Sequence, residues 1–313
     1  MRLARVKPKK ARFFGMIAST GNVVGRSFFL ARPKGSMKQC IVTDEVRKAA
    51  EKALRYVHSC QTEDGGYFFA RISPSSLRDS YFAVKTLLML GQRPRRPAGF
   101  KRFVWSFLQE VEGNPVHTSY LAIEILKDLG EDLEALRHQS EAIEPPLAAL
   151  DRVSDPGTLY IEVVSELEQV FEAVSILMHL DIPFDRASVV RLISSLSNRN
   201  GGFGSQGNSS LSTTYYAART SVMLDYPLRH PGRILSFLRR RERDVYFLED
   251  LYYLSVASCI LGETLSEPER ANSFVLGCQR SSGGFARARP MGIATLEDTY
   301  YAISLLKLLG VLK

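Results

Sequence analysis

Aromatic and ionisable residues recur together at one fixed offset along this chain. Tyr81 stands four residues before Lys85, Tyr120 four before Glu124, and Tyr215 four before Arg219. Phe171 precedes Ser175, Tyr252 precedes Val256, and Tyr300 precedes Ser304 in the same way. Residues four apart share one face of a helix, so each pair sets a ring beside its neighbour. An aromatic surface with a few polar groups can hold the apolar body and the polar end of one small molecule. Other chemistries lack their residues. The five histidines (His58, His117, His138, His179 and His230) show no metal-ligand spacing, and no Ser-His-Asp set is readable. His117 falls at a helix start, where a capping role is expected. The four cysteines (Cys40, Cys60, Cys259 and Cys278) lie far apart with no CxxC. That excludes a disulfide scaffold and points to a reducing, cytoplasmic setting.

The elements that must position these residues are repeats. Leu77-Arg78-Asp79-Ser80-Tyr81-Phe82-Ala83 returns as Leu211-Ser212-Thr213-Thr214-Tyr215-Tyr216-Ala217 and as Leu296-Glu297-Asp298-Thr299-Tyr300-Tyr301-Ala302. Looser copies begin at Val116, Leu167 and Leu248. Fixed-period similarity of this kind marks a repeat architecture. Six units fill the chain from about residue 44 to its end, and each reads as two helices. The pattern opens the second helix, where its Ser, Thr and Asp residues are expected to cap free N–H groups. Gly91, Gly130, Gly262 and Gly310 are expected to stop four of these helices. Gly65-Gly66-Tyr67, Gly201-Gly202-Phe203 and Gly283-Gly284-Phe285 join the two helices of three units. Unit three is the least regular, and Pro145-Pro146 and Pro156-Gly157 are expected to break its first half. No strand alternation competes over a useful length. Hairpins that bury their apolar faces only against neighbours build a solenoid or a closed ring, and spacing alone leaves both open.

Composition agrees with a folded helical body. The chain has 313 residues, 45% hydrophobic and 24% charged, enough for a large core and unlike a disordered segment. Its net charge of +8 comes from residues 1–36, which carry nine Lys or Arg and no acid and leave the rest at −1. The body therefore gives no reason to expect a nucleic-acid partner. The basic arm reads as a transit-like segment, an anionic-surface tether, or an upstream extension with Met37 as the start, and it is expected to stay outside the repeats. No run of eighteen uncharged apolar residues exists to span a membrane.

Two further motifs carry a resemblance. Lys52-Ala53, Tyr56-Val57, Gln61, Gly65 and Tyr67 recur at identical internal spacing as Arg270-Ala271, Phe274-Val275, Gln279, Gly283 and Phe285. They resemble the glutamine-aromatic repeat motif of squalene cyclases and protein prenyltransferase β-subunits. The resemblance covers nearly everything after residue 44. It implies an all-α fold, an α6/α6 toroid of six helix-hairpin repeats. A single prenyltransferase-like domain would then span residues 44–313, with residues 1–36 as the basic extension.

The resemblance also implies a chemistry, and the chain departs from it. The family's zinc ligands are an Asp, a Cys and a His. Their places fall on Asp250, Tyr252 and Asp298. Zinc is not expected in the family's manner, because a neutral phenol is a poor ligand for it. Asp250 and Asp298 form an oxygen-rich pair better suited to magnesium. Alternatively, both carboxylates cap their helices. The family's diphosphate lysine falls on Phe247, whereas Tyr253 matches a tyrosine near the diphosphate. Arg239, Arg240, Arg241 and Arg243, just upstream, are candidates to replace the lysine. In the resembled transferases the ninth-place face lines the isoprenoid pocket. Here that face would hold Lys85, Glu124 and Arg219 below Tyr81, Tyr120, Phe171, Tyr215, Tyr252 and Tyr300. An aromatic collar over a polar floor suits an amphiphile with a polar group, unless Lys85 and Glu124 simply pair across adjacent units.

Three functions follow. The first is a prenyltransferase-like protein that binds an isoprenoid or other amphiphile in a central funnel, with an α-helical partner subunit. The second is a non-catalytic lipid- or peptide-binding toroid. The third is a class II terpene cyclase-like enzyme. There Thr295-Leu296-Glu297-Asp298-Thr299 would stand in for the family's acidic motif, with Glu297 as the proton donor.

Overall fold

The computed structural model describes residues 43–109, 114–138, 140–153 and 165–312. Residues 1–36 and the Pro156-Gly157 site lie outside these. Among the described residues there are twelve α-helices in strict alternation. The outer set is α1 (Asp44–Ser59), α3 (Pro97–Gln109), α5 (Ser140–Val153), α7 (Arg186–Ser195), α9 (Pro231–Glu242) and α11 (Pro268–Gly277). The inner set is α2 (Leu77–Met89), α4 (Pro115–Leu129), α6 (Glu166–His179), α8 (Leu211–Met223), α10 (Leu248–Ile260) and α12 (Leu296–Leu308). The inner helices start within one residue of the six pattern positions. Burial separates the sets: α6 buries Leu167 and every residue from Gln169 to Leu177, whereas α9 buries only Ile234, Phe237 and Leu238.

Each inner helix packs on the next, and α12 packs back on α2. The repeat is therefore a closed ring, not an open solenoid. This satisfies every hairpin's need for two neighbours.

Helix ends explain much of the register. Ser76, Asn114, Ser165, Ser210 and Thr295 accept a backbone N–H with their side chains and cap five of the inner helices. These caps lie before the pattern's own hydroxyls. The fourth-place hydroxyls instead anchor the glycine-aromatic turns. The backbone N–H groups of Tyr67, Phe203 and Phe285 donate to Ser80, Thr214 and Thr299 at 2.9, 3.1 and 3.0 Å. Gly91, Gly130, Gly262 and Gly310 all have positive φ at helix ends, as expected. The expected break at Pro145-Pro146 is absent, because α5 runs through both. The prolines are interior to it, and the two N–H groups missing there leave two intrahelical hydrogen bonds unmade without ending the helix.

The glycine pairs set the distance between units. Gly65 has φ +97°, and a Cβ there would lie 2.6 Å from the Gly99 carbonyl carbon on α3. Gly283 has φ +96°, and a Cβ there would lie 2.5 Å from the Lys52 carbonyl oxygen of α1. Only glycine allows both the conformation and the approach. Gln279 completes the closure between the last unit and the first. Its side-chain amide donates to Ala49 O and Gly283 O, both at 2.8 Å.

Candidate functional site

The inner helices bring the six expected aromatics into one collar. The ring centres of Tyr81 and Tyr120 are 6.0 Å apart, those of Tyr120 and Phe171 5.7 Å, those of Tyr215 and Tyr252 5.6 Å, and those of Tyr252 and Tyr300 5.6 Å. Hydroxyl contacts join Tyr81 to Tyr120 at 3.3 Å, Tyr215 to Tyr252 at 3.4 Å, and Tyr252 to Tyr300 at 3.0 Å. All but the half-buried Tyr300 are buried. Burial pushes these phenols above their ordinary range, so they stay neutral donors.

Arg219 rises into this collar. Its guanidinium lies 4.4 Å from the Phe171 ring centre and 5.5 Å from that of Tyr215, and it donates to the Tyr215 hydroxyl at 2.7 Å. A cation on aromatic faces is attracted by their quadrupoles. The other two charged ninth-place residues behave differently. Lys85 Nζ is 2.6 Å from Glu124 Oε2 and 2.6 Å from Asp128 Oδ2. Glu124 also pairs with His179, which in turn meets Lys127 at 3.2 Å. Burial opposes charge on Lys85, but Glu124 and Asp128 outweigh it and hold the ammonium above its usual range. Burial and nearby Lys85 push Lys127 down to about 8. The floor therefore neutralises itself across α2, α4 and α6.

A third layer lies at the N-terminal ends of the inner helices. Tyr216, Tyr253 and Tyr301 donate to Glu168, Glu249 and Glu297 at 2.6, 3.0 and 3.1 Å. Tyr253 is thus in the collar's upper rim, with ring contacts to Tyr215, Tyr252 and Tyr301. Glu297 pairs with Arg78 at 2.7 Å, which is an ion-pair role and not that of a lone acid in an apolar cavity. His117 does not cap its helix, since Asn114 does. Its imidazole Nδ1 instead lies 2.6 Å from Glu172 Oε1.

The places of the implied zinc ligands do not form a metal site. The Tyr252 hydroxyl is engaged by Tyr215 and Tyr300, and Asp298 accepts from the Thr295 hydroxyl at 2.7 Å. Burial raises Asp298 to about 6. Asp250 has Arg287 and Arg241 as charged neighbours, and Arg287 acts on Asp298 as well. Among the described residues no three His, Cys, Asp or Glu side chains come together as metal ligands. These residues fit neither zinc nor magnesium.

Arg243 follows the last turn of α9. It is exposed and lines a cleft between α9 and α11 with Arg239, Arg240, Arg270 and Phe274. The cation beside Phe247 is Arg287, 4.1 Å from its ring centre. Arg287 lies in the connection before α12, outside the repeated pattern, so spacing gave no sign of it. Glu168, Glu172, Asp128 and His179 were also missed. They occupy the second, sixth and thirteenth pattern places, and a wider reading of the repeat grid would have found them.

Twelve alternating helices closed on an aromatic centre define an α/α toroid. Comparison with known proteins agrees. Residues 28–116 and 110–313 match the family described as prenyltransferase alpha-alpha toroid domain. The chain belongs to that family. Among solved structures it is similar to the Candida albicans protein geranylgeranyltransferase-I complexed with GGPP. The identity is 15%, the TM-score 0.66, and the match covers 83% of this chain and 90% of that one. At that identity the likeness is one of fold. No curated protein matches the chain by sequence. Among the described residues no helix is long and apolar enough to cross a membrane.

Proposed function

We propose that this protein is a ligand-binding toroid of the prenyltransferase family that takes an isoprenoid or another amphiphile against its aromatic collar. The observation that supports this reading is the collar itself. All six inner helices contribute an aromatic at one level, and five of the six are tyrosines with hydroxyls near one another. A purely structural core is better filled by residues without polar atoms. Phenols supply an apolar wall and a polar tip, which suits a hydrocarbon chain with a polar end. Arg219 stands within the collar, so a ligand entering there turns the guanidinium away from Phe171.

Binding without turnover is the form the residues favour. Tyr252 and Asp298 occupy two of the three zinc places and are already engaged by Tyr215, Tyr300 and Thr295. An α-helical partner subunit and a cytoplasmic setting belong to the same proposal. The exposed apolar side chains of Ile72, Met291 and Ile293 support the first. The free, buried Cys60 and Cys278 support the second.

Native mass spectrometry of the full chain with geranylgeraniol tests the reading. Retention at one per chain, lost in Tyr252→Ala, is the expected result. No retention by the wild type would contradict it. Incubation with a geranylgeranyl diphosphate donor and a cysteine-ended peptide should yield no prenylated peptide.

A further inference from the structure

The end of the ring that holds the inner-helix N-termini has the wrong charge for a diphosphate. The family resemblance puts the diphosphate beside Phe247 and Tyr253. The chain instead gathers Asp79, Glu168, Glu172, Glu249, Asp250, Glu297 and Asp298 near that end. Against these seven carboxylates stand Arg78, Arg241, Arg287 and His117 among the described residues. Part of this is internal pairing: Arg78 with Glu297 at 2.7 Å, His117 with Glu172 at 2.6 Å, and Arg287 with Glu249 at 3.9 Å. The pairing is incomplete, and a diphosphate would add further negative charge to an acidic vestibule.

A cluster of acids alone says little, since acids are favoured at helix N-termini. Glu172 makes the difference. It sits a full turn inside α6 and is only 2% exposed. Its Oε1 meets His117, while its Oε2 is buried with no hydrogen-bond partner. A buried carboxylate oxygen left unmatched is costly, and a donor supplied by a ligand removes that cost. Beside it, the tyrosines at 216, 253 and 301 hold Glu168, Glu249 and Glu297 in place with their hydroxyls. Their rings pack in series, with centres 6.0 Å apart for 216 and 253 and 6.1 Å for 253 and 301. Carboxylates held at the hydroxyl ends of packed aromatic rings can attract an organic cation twice, by charge and by the ring quadrupole.

We propose that this vestibule receives a cation, the ammonium or guanidinium group of a ligand, with Glu172 and Glu168 as its principal acceptors. The proposal rests on the reading of the ring as a ligand-binding toroid and names the head group that reading leaves open.

The test compares three heads on one tail, using the full chain: geranylgeranylamine, geranylgeraniol and geranylgeranyl diphosphate. A tail-free probe, butylguanidinium, is titrated alongside. The amine should bind about tenfold more tightly than the alcohol, with the diphosphate weakest, and the preference should shrink as salt rises. Glu172→Gln should bring amine and alcohol to within about threefold of each other. Glu168→Gln, at a half-buried position, should act in the same direction and guards against a folding defect in the first variant. Equal binding of all three heads, unaffected by either substitution, would overturn the cation site and leave the amphiphile reading standing. If no tailed compound binds but butylguanidinium does, and loses its site in Glu172→Gln, the amphiphile reading fails and the cation site survives. Failure of every probe would overturn both.

Discussion

The guanidinium of Arg219, on α8, lies 4.4 Å from the centre of the Phe171 ring on the neighbouring α6. It is held there by a 2.7 Å hydrogen bond to Tyr215, one turn earlier on its own helix. The contact places a cation among the aromatic rings of the proposed binding site.

Arg219→Ala should therefore separate stability from binding. Loss of the cation–π contact should cost about 1–2 kcal/mol in denaturant unfolding. The same change empties the collar, and affinity for geranylgeraniol should rise several-fold. A fall in affinity would show that Arg219 is itself a ligand contact and not an obstacle.

Lys85 is the hub of the self-neutralised floor. Lys85→Met leaves Glu124 and Asp128 without their shared cation and should cost about 3 kcal/mol. His179 still contacts Glu124, so the double variant Lys85→Met/Glu124→Gln should recover part of the loss. Unfolding curves at pH 7 for the four proteins of the cycle measure the coupling. Additive losses would mean the pair does not act as a unit.

Asp298 gives a signed pH effect. Its carboxyl is raised to about 6 by burial, above the 3.8 it starts from. Between those values the folded chain binds the extra proton, so stability due to this group is full below about 4 and declines as pH rises through 6. The loss is of order 2–3 kcal/mol. Asp298→Asn keeps a partner for Thr295 and removes the titration. The difference in unfolding free energy between variant and wild type should therefore grow in the variant's favour from pH 4 to pH 7. A difference that is flat with pH would contradict the raised carboxyl.

The repeat grid was legible because each unit copies one pattern. The starts at Leu77, Leu211 and Leu296 are helix starts, and the fixed offset from tyrosine to ninth place put Lys85 and Glu124 on facing turns. What escaped was whatever the pattern does not repeat. Spacing could not tell a ring from a solenoid, because that depends on α12 meeting α2. Ser80, Thr214 and Thr299 read as caps, since a hydroxyl at a helix start usually is one. Their actual partners, the N–H groups of Tyr67, Phe203 and Phe285, lie ten or more residues back. Arg243 is close to Phe247 in sequence, whereas the cation over the Phe247 ring, Arg287, comes from a connection before α12 that the pattern does not repeat.

Ring closure can be tested at one glycine. Gly283→Ala puts a methyl against the Lys52 carbonyl at a positive φ, and should cost about 2–4 kcal/mol. Gly91→Ala carries a similar φ with nothing within 4 Å, and should cost only about 1 kcal/mol. Thermal unfolding of the two variants reads the difference. Equal losses would mean that contact between the last and first units contributes little.

Photo-crosslinking with a benzophenone-bearing isoprenoid alcohol, read by peptide mass spectrometry, locates the ligand directly. Adducts on α8, α10 and α12 near Tyr215, Tyr252 and Tyr300, competed away by geranylgeraniol, are the expected result. Adducts confined to the outer helices, or to the exposed cleft between α9 and α11, would contradict a binding site inside the ring.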